Sequence, residues 1–323
     1  MYCNIYLILP KMYKKNILIT GAAGFIGSHL CDLFIKKSFK VIGVDNLSTG
    51  SLNNINHLIG TQNFEFIEID ITRDFKLNYD FDYILHFASP ASPIDYLKMP
   101  LETLRVGSLG TENILKIALN NNSRVLVAST SEVYGDPLIH PQKEDYYGNV
   151  NPVGPRGVYD EAKRYLEALT IAYKDFYKLD VRIARIFNTY GPRMRKNDGR
   201  AIPTFLNQLI NNKPFTVFGN GLQTRSFCYI SDTIDAIDKL LFSNYDLPVN
   251  IGNPNEISLV HLIEYISSLK NHDGGIIYKK LPKNDPKKRR PDITLAKKIL
   301  KWEPTINLKD GLTKTFNSYE RLH

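Results

Sequence analysis

The amino-acid sequence predicts an α/β fold: a Rossmann-type, doubly wound parallel sheet with a smaller, mixed α/β region at its C-terminal side. Two observations carry this prediction. Short β-branched runs alternate with helix-length amphipathic segments through the first half of the chain, which is the pattern of βαβ units. The first run also leads directly into a glycine-rich turn, Gly21-Ala22-Ala23-Gly24-Phe25-Ile26-Gly27, that precedes a helical segment.

The individual elements follow from the same alternation. Strands are predicted at residues 16–20, 40–44, 64–68, 83–86, 124–128 and 181–185. Helices are predicted at residues 25–36, 100–120 and 157–176. After Phe187 glycine and proline become frequent and the elements shorten, so the second region is expected to close over the carboxyl edge of the sheet, where ligands of open α/β sheets bind.

The composition of the chain limits the kinds of partner and the location that can be expected. The 323 residues include 41 basic and 33 acidic side chains, giving a net charge of +8, which permits nucleic acid, a membrane surface or a phosphorylated molecule as partner. Cys3, Cys31 and Cys228 lack disulfide-framework or zinc-ligand spacing, so no metal and a reducing cytoplasmic location are predicted. The apolar residues 5–9 are too few to span a bilayer and lack the flanks of a signal peptide, so no membrane association is predicted.

The glycine turn predicts a dinucleotide site, since backbone amides at a helix start can face a pyrophosphate. Asp45 ends the next apolar run, where its carboxylate can bind the adenosine ribose and repel a 2′-phosphate, and residues 46–50 contain no arginine. NAD is therefore favoured over NADP, although a glycine turn followed by a surface aspartate is the alternative. The predicted cofactor residues here are Gly21, Gly24, Phe25, Ile26, Gly27, Asp45, Asn46, Ser48, Thr49, Gly50, Asp70 and Ile71.

A tyrosine and a lysine form a candidate proton-transfer pair. Tyr159 and Lys163 are four residues apart at the start of a predicted helix, so they share a face. A free phenol has a pKa of ~10, and a cation ~4 Å away at an effective dielectric of ~20 is worth ~4 kcal/mol before desolvation. Lys163 and a cationic nicotinamide are therefore predicted to lower the pKa of Tyr159 toward neutrality. The alternative is a pair on a solvated helix face.

On these residues the chain resembles the extended short-chain dehydrogenase/reductase family, most of whose members act on nucleotide sugars. The resemblance begins near residue 14 and covers nearly the whole remainder. It is carried by Gly21-x-x-Gly24-x-x-Gly27, Asp45, Ser131 and Tyr159-x-x-x-Lys163. Within the family, longer stretches are similar to the UDP-glucuronate decarboxylases, namely residues 86–93, 147–152, 154–156, 159–164, 184–194 and 285–292.

The resemblance implies a reaction in which NAD is oxidised and reduced within one cycle. Tyr159 takes the proton of the sugar 4-hydroxyl while NAD takes the C4 hydride; the 4-keto acid then loses carbon dioxide, and the hydride returns to give UDP-xylose. Thr130 and Ser131 are implied to bind the reacting oxygen, Lys163 to orient Tyr159 and the nicotinamide ribose, and Glu132 to act near C5, directly or through water.

The resemblance also implies the substrate contacts. Arg225 matches a phosphate-binding arginine, Asn188 a residue at the sugar diphosphate, and Thr216 lies in a uracil-side strand. Arg289 is implied to reach the substrate, although the basic run at 287–290 alone would suggest a solvated surface or a nucleic-acid patch; it lacks interleaved aromatics, so no nucleic acid is predicted. Ala88 and Ser89 join the cofactor residues, and the predicted substrate residues are Ser89, Pro90, Arg105, Asn113, Asn188, Thr216, Arg225 and Arg289.

The position of Met12 just before the first strand and the change of texture after Phe187 predict a flexible extension at 1–12, an NAD-binding domain at 13–187 with about 227–252, and a second region at 188–226 and 253–323, which the resemblance implies binds the nucleotide sugar. Family members commonly pair through a four-helix bundle, which predicts a homodimer through residues 100–120 and 157–176. The chain departs from the family where Lys-Thr-Asn is replaced by Arg105-Val106-Gly107, a change expected to alter affinity or rate.

Three functions stay open at this point. The first is decarboxylation of UDP-glucuronate, and the second is a related NAD-dependent epimerase or dehydratase. A 4,6-dehydratase would carry Thr-Asp-Glu where this chain has Thr130-Ser131-Glu132, and a 4-epimerase usually lacks the glutamate. The third is a catalytically silent NAD-binding regulator, which the presence of the complete catalytic set disfavours.

Overall fold

The computed structural model describes residues 15–272, 274–280 and 288–321. The predictions for residues 1–12, for Cys3 and for residues 285–287 of the decarboxylase-like stretch at 285–292 lie outside these residues. The strands are β1 Asn16–Thr20, β2 Lys40–Asp45, β3 Phe64–Glu68, β4 Tyr83–His86, β5 Arg124–Thr130, β6 Val181–Ile186, β7 Thr189–Tyr190, β8 Phe215–Phe218, β9 Thr224–Ser226, β10 Cys228–Tyr229, β11 Pro248–Ile251, β12 Glu256–Ser258 and β13 Ile276–Lys279.

The helices match two of the three predictions closely and revise the third. They are α1 Phe25–Lys36, α2 Pro93–Lys98, α3 Pro100–Arg105, α4 Thr111–Asn121, α5 Gly157–Tyr177, α6 Ala201–Ile210, α7 Ile230–Leu241, α8 Leu259–Ser267, α9 Thr294–Leu300 and α10 Leu308–Glu320. The predicted helix at 100–120 is interrupted by a π-helical turn, Val106–Gly110. In that turn Gly107 passes α5 so closely that a Cβ would lie 2.8 Å from the Ala162 carbonyl oxygen.

Seven parallel strands form the main sheet, in the order β11-β6-β5-β4-β1-β2-β3. This confirms the predicted Rossmann-type fold. All six predicted strands are present, and the central ones are nearly continuous apolar runs because helices cover both faces of the sheet. The strand order reverses between β1 and β4, and open parallel sheets bind their ligands at such a point.

The core lies on both faces of this sheet. On one face, Leu18, Ile42 and Val125 pack in a cluster with Ile114 of α4 and Leu166 of α5. On the other face, a larger cluster joins alternate strand residues to α1, α7 and the C-terminal elements; its members include Ile17, Ile19, Leu30, Phe34, Leu126, Ile237, Leu262 and Leu312. The alternation of strand side chains between the two clusters is the packing expected of a doubly wound sheet.

Beyond the sheet, short strands pair two by two. β7 pairs with β10 and β8 with β13, both parallel, while β9 and β12 are antiparallel. The strand β11 returns from this part of the chain to pair with β6 in the main sheet. None of the helices in the described residues is both long and apolar enough to cross a bilayer.

The single tryptophan anchors the C-terminal part of the chain. Trp302 is 2% exposed, and its indole N–H donates to the Asp232 carbonyl at 3.1 Å. The Asp232 carboxylate in turn accepts hydrogen bonds from Thr305, through both backbone and hydroxyl, and from the Ile306 amide. These contacts hold the segment before α10 against the start of α7.

Candidate active site

The carboxyl ends of the main strands open into one cavity of about 1010 Å³. Because parallel strands end at the same edge, the residues that follow β1 to β6 converge there. The predicted residues that line the cavity are Gly21, Gly24, Phe25, Ile26, Gly27, Asp45, Asn46, Ser48, Thr49, Asp70, Ile71, Ala88, Ser89, Pro90, Arg105, Thr130, Ser131, Glu132, Tyr159, Lys163, Asn188, Thr216, Arg225 and Arg289.

Two predicted residues are not among those that line the cavity. The Cα of Gly50 packs beneath the Asp45 carboxylate, where a Cβ would lie 2.9 Å from Oδ2. The Asn113 side-chain amide donates to the Ile71 carbonyl at 2.9 Å. Asn113 therefore ties α4 to the segment after β3, and the structure does not bring it to the substrate side.

The turn after β1 leaves no space for a side chain at Gly21 or Gly27. Gly21 has a φ of +71°, and a Cβ there would lie 2.8 Å from the backbone of Phe87. A Cβ on Gly27 would lie 2.0 Å from the Gly21 carbonyl oxygen. Helix α1 begins directly after Gly24 with no side-chain cap, so its first amides face the cavity side of the turn. This backbone cradle fits the pyrophosphate of NAD.

We expect a Gly27→Ala variant to lose NAD, because its methyl group would meet the backbone of the turn and that backbone cannot move without displacing the cradle. NAD released from the denatured variant would be measured alongside its melting temperature. Gly60→Ala is the control for backbone strain, since Gly60 has a φ of +83° but its Cβ would meet nothing within 4 Å and the residue does not line the cavity, so its NAD content should be unchanged. A Gly27→Ala protein with its full NAD content would contradict the assignment.

The acids after β2 and β3 are held by backbone amides. The Asp45 carboxylate accepts hydrogen bonds from the backbone amides of Ala23 at 3.0 Å and Leu47 at 2.8 Å. These bonds lower its pKa, but burial outweighs them and raises the pKa above its usual value. For Asp70, burial acts to raise the pKa, but bonds from the Thr72 amide and hydroxyl hold it below its usual value. Both carboxylates line the cavity on the side of the glycine turn, where the adenosine ribose and adenine of NAD would lie.

The tyrosine and lysine are buried side by side at the start of α5. The Tyr159 ring stacks on Tyr96, with centroids 5.0 Å apart and planes 8° from parallel. The Lys163 ammonium lies 5.9 Å from the Tyr159 ring centroid and donates to the Ala128 carbonyl at 2.8 Å. Burial, and then the charge of Glu132, raise the pKa of Tyr159 above its usual range. The predicted lowering is therefore wrong for the protein groups alone, because Lys163 is directed at a backbone carbonyl.

Burial lowers the pKa of Lys163 to about 8, against the charge of Glu167, which raises it. We therefore expect turnover to fall as the pH rises through about 8, where the ammonium loses its proton. A Glu167→Gln variant should move this decline to lower pH, because it removes the carboxylate that supports the cation. Initial rates across the pH range would measure the midpoint, and an unmoved midpoint in the variant would count against Lys163 as the titrating group.

A buried charge cluster lies beside the pair. Glu132, on the 3-10 helix Ser131–Tyr134, is bound by Arg156 at 2.6 Å and by both terminal nitrogens of Arg289, one at 2.8 Å. Burial alone would raise the pKa of Glu132, but Arg289 and Arg156 hold it well below its usual range. Burial and then Glu132 raise the pKa of Asp160, which favours its neutral form. Glu132 therefore faces two guanidiniums, and the cluster holds one more positive charge than negative when Asp160 is protonated.

Three predicted substrate residues lie in or next to the short strands outside the main sheet. Arg225 is on β9, Thr216 is on β8, and the Asn188 amide donates to the Ser226 carbonyl at 3.4 Å. Sequence reasoning assigned no role to several polar residues that line the cavity, although two of them, Arg156 and Arg193, lie in stretches that resemble the decarboxylases; these residues are Tyr96, Arg156, Arg193, Arg195, Asp198 and Arg200. Together with the predicted arginines they concentrate basic side chains on the cavity wall, which suits a polyanionic ligand.

Comparisons with known proteins agree with this geometry. The family model described as "NAD dependent epimerase/dehydratase family" matches residues 17–252. UDP-glucuronic acid decarboxylase 1 of Xenopus tropicalis is 46% identical over 313 residues, which are 97% of this chain and 74% of that protein. UDP-glucuronic acid decarboxylase 6 of Arabidopsis thaliana is 46% identical over 305 residues, which are 94% of this chain and 88% of that protein.

Solved structures share the fold over nearly the whole chain. UDP-N-acetylglucosamine 4-epimerase from Methanobrevibacter ruminantium M1, in complex with UDP-N-acetylmuramic acid, superposes with a TM-score of 0.89 and 28% identity, covering 97% of this chain and all of that one. UDP-glucuronic acid 4-epimerase from Bacillus cereus, in complex with UDP-glucuronic acid and NAD, gives a TM-score of 0.84, 29% identity and coverage of 95% and 100%. The chain belongs to the NAD-dependent epimerase/dehydratase family of extended short-chain dehydrogenases/reductases.

Proposed function

We propose that this protein is a UDP-glucuronate decarboxylase, which converts UDP-glucuronate to UDP-xylose and carbon dioxide through a 4-keto intermediate. The observation that carries the proposal is the Glu132 carboxylate held between Arg156 and Arg289, next to Tyr159. An epimerase needs only a hydride and a proton at C4, whereas a decarboxylase also needs groups at C5. Relatives that are 46% identical to this chain are named UDP-glucuronic acid decarboxylase.

The first step is oxidation at C4. Tyr159 accepts the proton of the 4-hydroxyl. The hydroxyls of Thr130 and Ser131 orient the reacting oxygen, and the Thr130 hydroxyl also bonds the Tyr159 side chain. When bound, NAD accepts the C4 hydride and later returns it, so no redox equivalent is consumed. Because the protein groups together raise the pKa of Tyr159, a bound nicotinamide would have to supply the positive charge that assists its deprotonation, while Lys163 would orient the nicotinamide ribose.

The second step is loss of the carboxylate. In the 4-keto acid the electrons of the breaking C5–carboxylate bond pass to the C4 oxygen, which Tyr159 and Ser131 can hydrogen-bond as an enolate. Arg289 holds the carboxylate before it leaves. Glu132 is ionised because two guanidiniums hold its pKa low, so it serves best by orienting the water that protonates C5.

The nucleotide lies along the arginine-lined wall in this proposal. Arg225 pairs with the diphosphate, where guanidinium geometry suits two oxygens at once. Asn188, Arg105 and Thr216 line the same cavity, and in this proposal Asn188 and Arg105 contact the diphosphate side of the substrate and Thr216 the uracil side. Ser89 and Pro90 border the sugar. These assignments account for the basic side chains of the cavity without a nucleic-acid partner.

The test is to incubate the purified protein with UDP-glucuronate and follow carbon dioxide and nucleotide sugars. We expect UDP-xylose and carbon dioxide in equal amounts. Formation of UDP-galacturonate without carbon dioxide would instead indicate a 4-epimerase, a second candidate favoured by the likeness to the Bacillus cereus enzyme. No turnover of several nucleotide sugars would favour a non-catalytic NAD-binding regulator.

We further propose a homodimer. The helices α3 and α5 and the π-helical turn after α3 leave large apolar side chains exposed, and these are Leu101, Leu104, Leu109, Tyr165, Phe176 and Tyr177. Such a surface is typical of a contact between subunits. Sedimentation should give the mass of two chains, and a Leu101→Glu, Tyr165→Glu double variant should sediment as one chain. A single-chain mass for the unaltered protein would overturn this proposal.

We also propose a cytoplasmic location and a two-part organisation of the chain. Cys31 and Cys228 are buried free thiols, as expected in a reducing compartment, and burial raises the pKa of Cys228 to about 12. The pairing of β11 with β6 supports placing residues 227–252 with 13–187, and leaves 188–226 and 253–323 as the nucleotide-sugar-binding region. Cell fractionation tests the location, and limited proteolysis near residue 188 tests the division.

A further inference from the structure

Arg289 reaches the cavity from a segment with little support of its own. Residues 288–292 belong to no helix or strand, and α9 begins only at Thr294. An isolated bridge joins Pro291 to Gln142, and the Ser226 hydroxyl donates to the Arg289 carbonyl at 3.3 Å. The position of the guanidinium therefore depends on the residues that grip this segment from outside.

Gln142 grips the segment immediately after Arg289 with both backbone and side chain. Its amide donates to the Arg290 carbonyl at 2.9 Å, and its side-chain Oε1 accepts from the Arg290 amide at 2.8 Å. Its carbonyl accepts from the Asp292 amide at 2.8 Å. The side chain is fully buried, and its Nε2 donates to the Ile139 carbonyl at 2.9 Å, so both ends of the amide are used.

The hydrogen bonds made by Gln142 are themselves held in place by residues of β11 and of the 3-10 helix that carries Glu132. Asn250, on β11, donates from its side chain to the carbonyls of Gln142 at 3.1 Å and Asp292 at 3.2 Å. Its Oδ1 accepts from the Tyr134 hydroxyl at 2.8 Å. Tyr134 ends the same 3-10 helix that carries Glu132. A chain of buried hydrogen bonds thus fixes Arg289 relative to Glu132.

We propose that Gln142 is a positioning residue that holds Arg289 opposite Glu132 and thereby sets the preference of the cavity for a sugar that carries a carboxylate. The inference rests on the proposed function, because it takes Arg289 to be the group that meets the substrate carboxylate. Glu132 offsets one of the two guanidiniums around it, and a substrate carboxylate offsets the other. A displaced Arg289 loses this match, whereas a neutral sugar on the same nucleotide loses nothing.

The test compares equilibrium binding of UDP-glucuronate and UDP-glucose by titration calorimetry to the NAD-loaded protein in a Tyr159→Phe background, because the active protein would consume UDP-glucuronate during the titration. Gln142→Met keeps the shape of the side chain and removes its hydrogen bonds. We expect it to weaken the binding of UDP-glucuronate by ~10- to 10²-fold, the usual effect of losing a hydrogen bond to a charged group, and to leave the binding of UDP-glucose nearly unchanged. Tyr134→Phe removes only the hydroxyl anchor and should shift the preference in the same direction by less, which keeps the test available if Gln142→Met does not fold.

Gln208→Met is the matched control, because Gln208 grips Thr216 on the uracil side in the same way, with bonds of 3.1 Å and 3.0 Å. Gln208→Met should weaken the binding of UDP-glucuronate and of UDP-glucose by the same factor. Equal weakening of both by Gln142→Met, or unchanged binding of UDP-glucuronate, would overturn the proposal. The binding readout is separate from turnover: an unaltered protein that prefers UDP-glucuronate but makes no UDP-xylose would refute the proposed reaction and leave the role of Gln142 intact.

Discussion

A Tyr159→Phe variant should retain bound NAD and lose turnover by ~10²- to 10⁴-fold, the usual worth of a positioned acid–base group. The phenyl ring can keep its stack on Tyr96, so the cavity wall is preserved while the proton acceptor is removed. Product formation from UDP-glucuronate measures the rate, and NAD released on denaturation measures cofactor content.

Tyr173→Phe is the control for this change, since Tyr173 is another buried tyrosine on α5 that does not line the cavity. It should leave turnover unaltered. If Tyr159→Phe turned over as fast as the unaltered protein, another group would have to take the 4-hydroxyl proton.

A Glu132→Gln variant should lose ~3–5 kcal/mol of stability at neutral pH, the usual cost of removing one partner of a buried ion pair. It would leave the two guanidiniums of Arg156 and Arg289 buried without an anion between them. We also expect turnover to fall, since no carboxylate remains to orient water at C5. Urea unfolding followed by circular dichroism measures the stability.

The pH dependence gives this prediction a sign. The pKa of Glu132 is held below its unfolded value, so its stabilising contribution is present above the unfolded pKa of ~4.3 and is lost as the pH falls toward the folded value. The unaltered protein should therefore lose more stability on acidification than Glu132→Gln. Glu161→Gln, at an exposed pair with Arg164 3.6 Å away, should change little. Parallel acid curves for all three proteins would show that the cluster contributes nothing.

The fold was largely predictable because parallel strands covered on both faces are apolar runs that stand out in a sequence. Every predicted strand was found, with ends within two residues of those predicted. The interruption of the helix at Val106–Gly110 was not predictable from periodicity. It coincides with the close approach of Gly107 to Ala162, which is a contact between helices and leaves no local pattern.

The site was predictable where residues follow a strand, because the fold itself carries strand ends to one edge. It was less predictable where distant loops meet. Glu132 and Arg289 are 157 positions apart, and nothing in the spacing of Arg156 indicates that it completes their cluster. The pKa of Tyr159 was predicted to fall under the joint charge of Lys163 and a nicotinamide, whereas among the protein groups burial dominates and raises it.

Trp302 gives the protein a native optical reporter. As the single tryptophan of the chain, it is the one source of indole fluorescence, and it is buried against α7 rather than along the cavity wall. Its emission should shift to longer wavelength when the C-terminal segment separates from α7 and water reaches the ring. Fluorescence can therefore follow unfolding of that face while ultraviolet absorbance follows the cofactor, so a variant that loses NAD can be told apart from one that loses its fold.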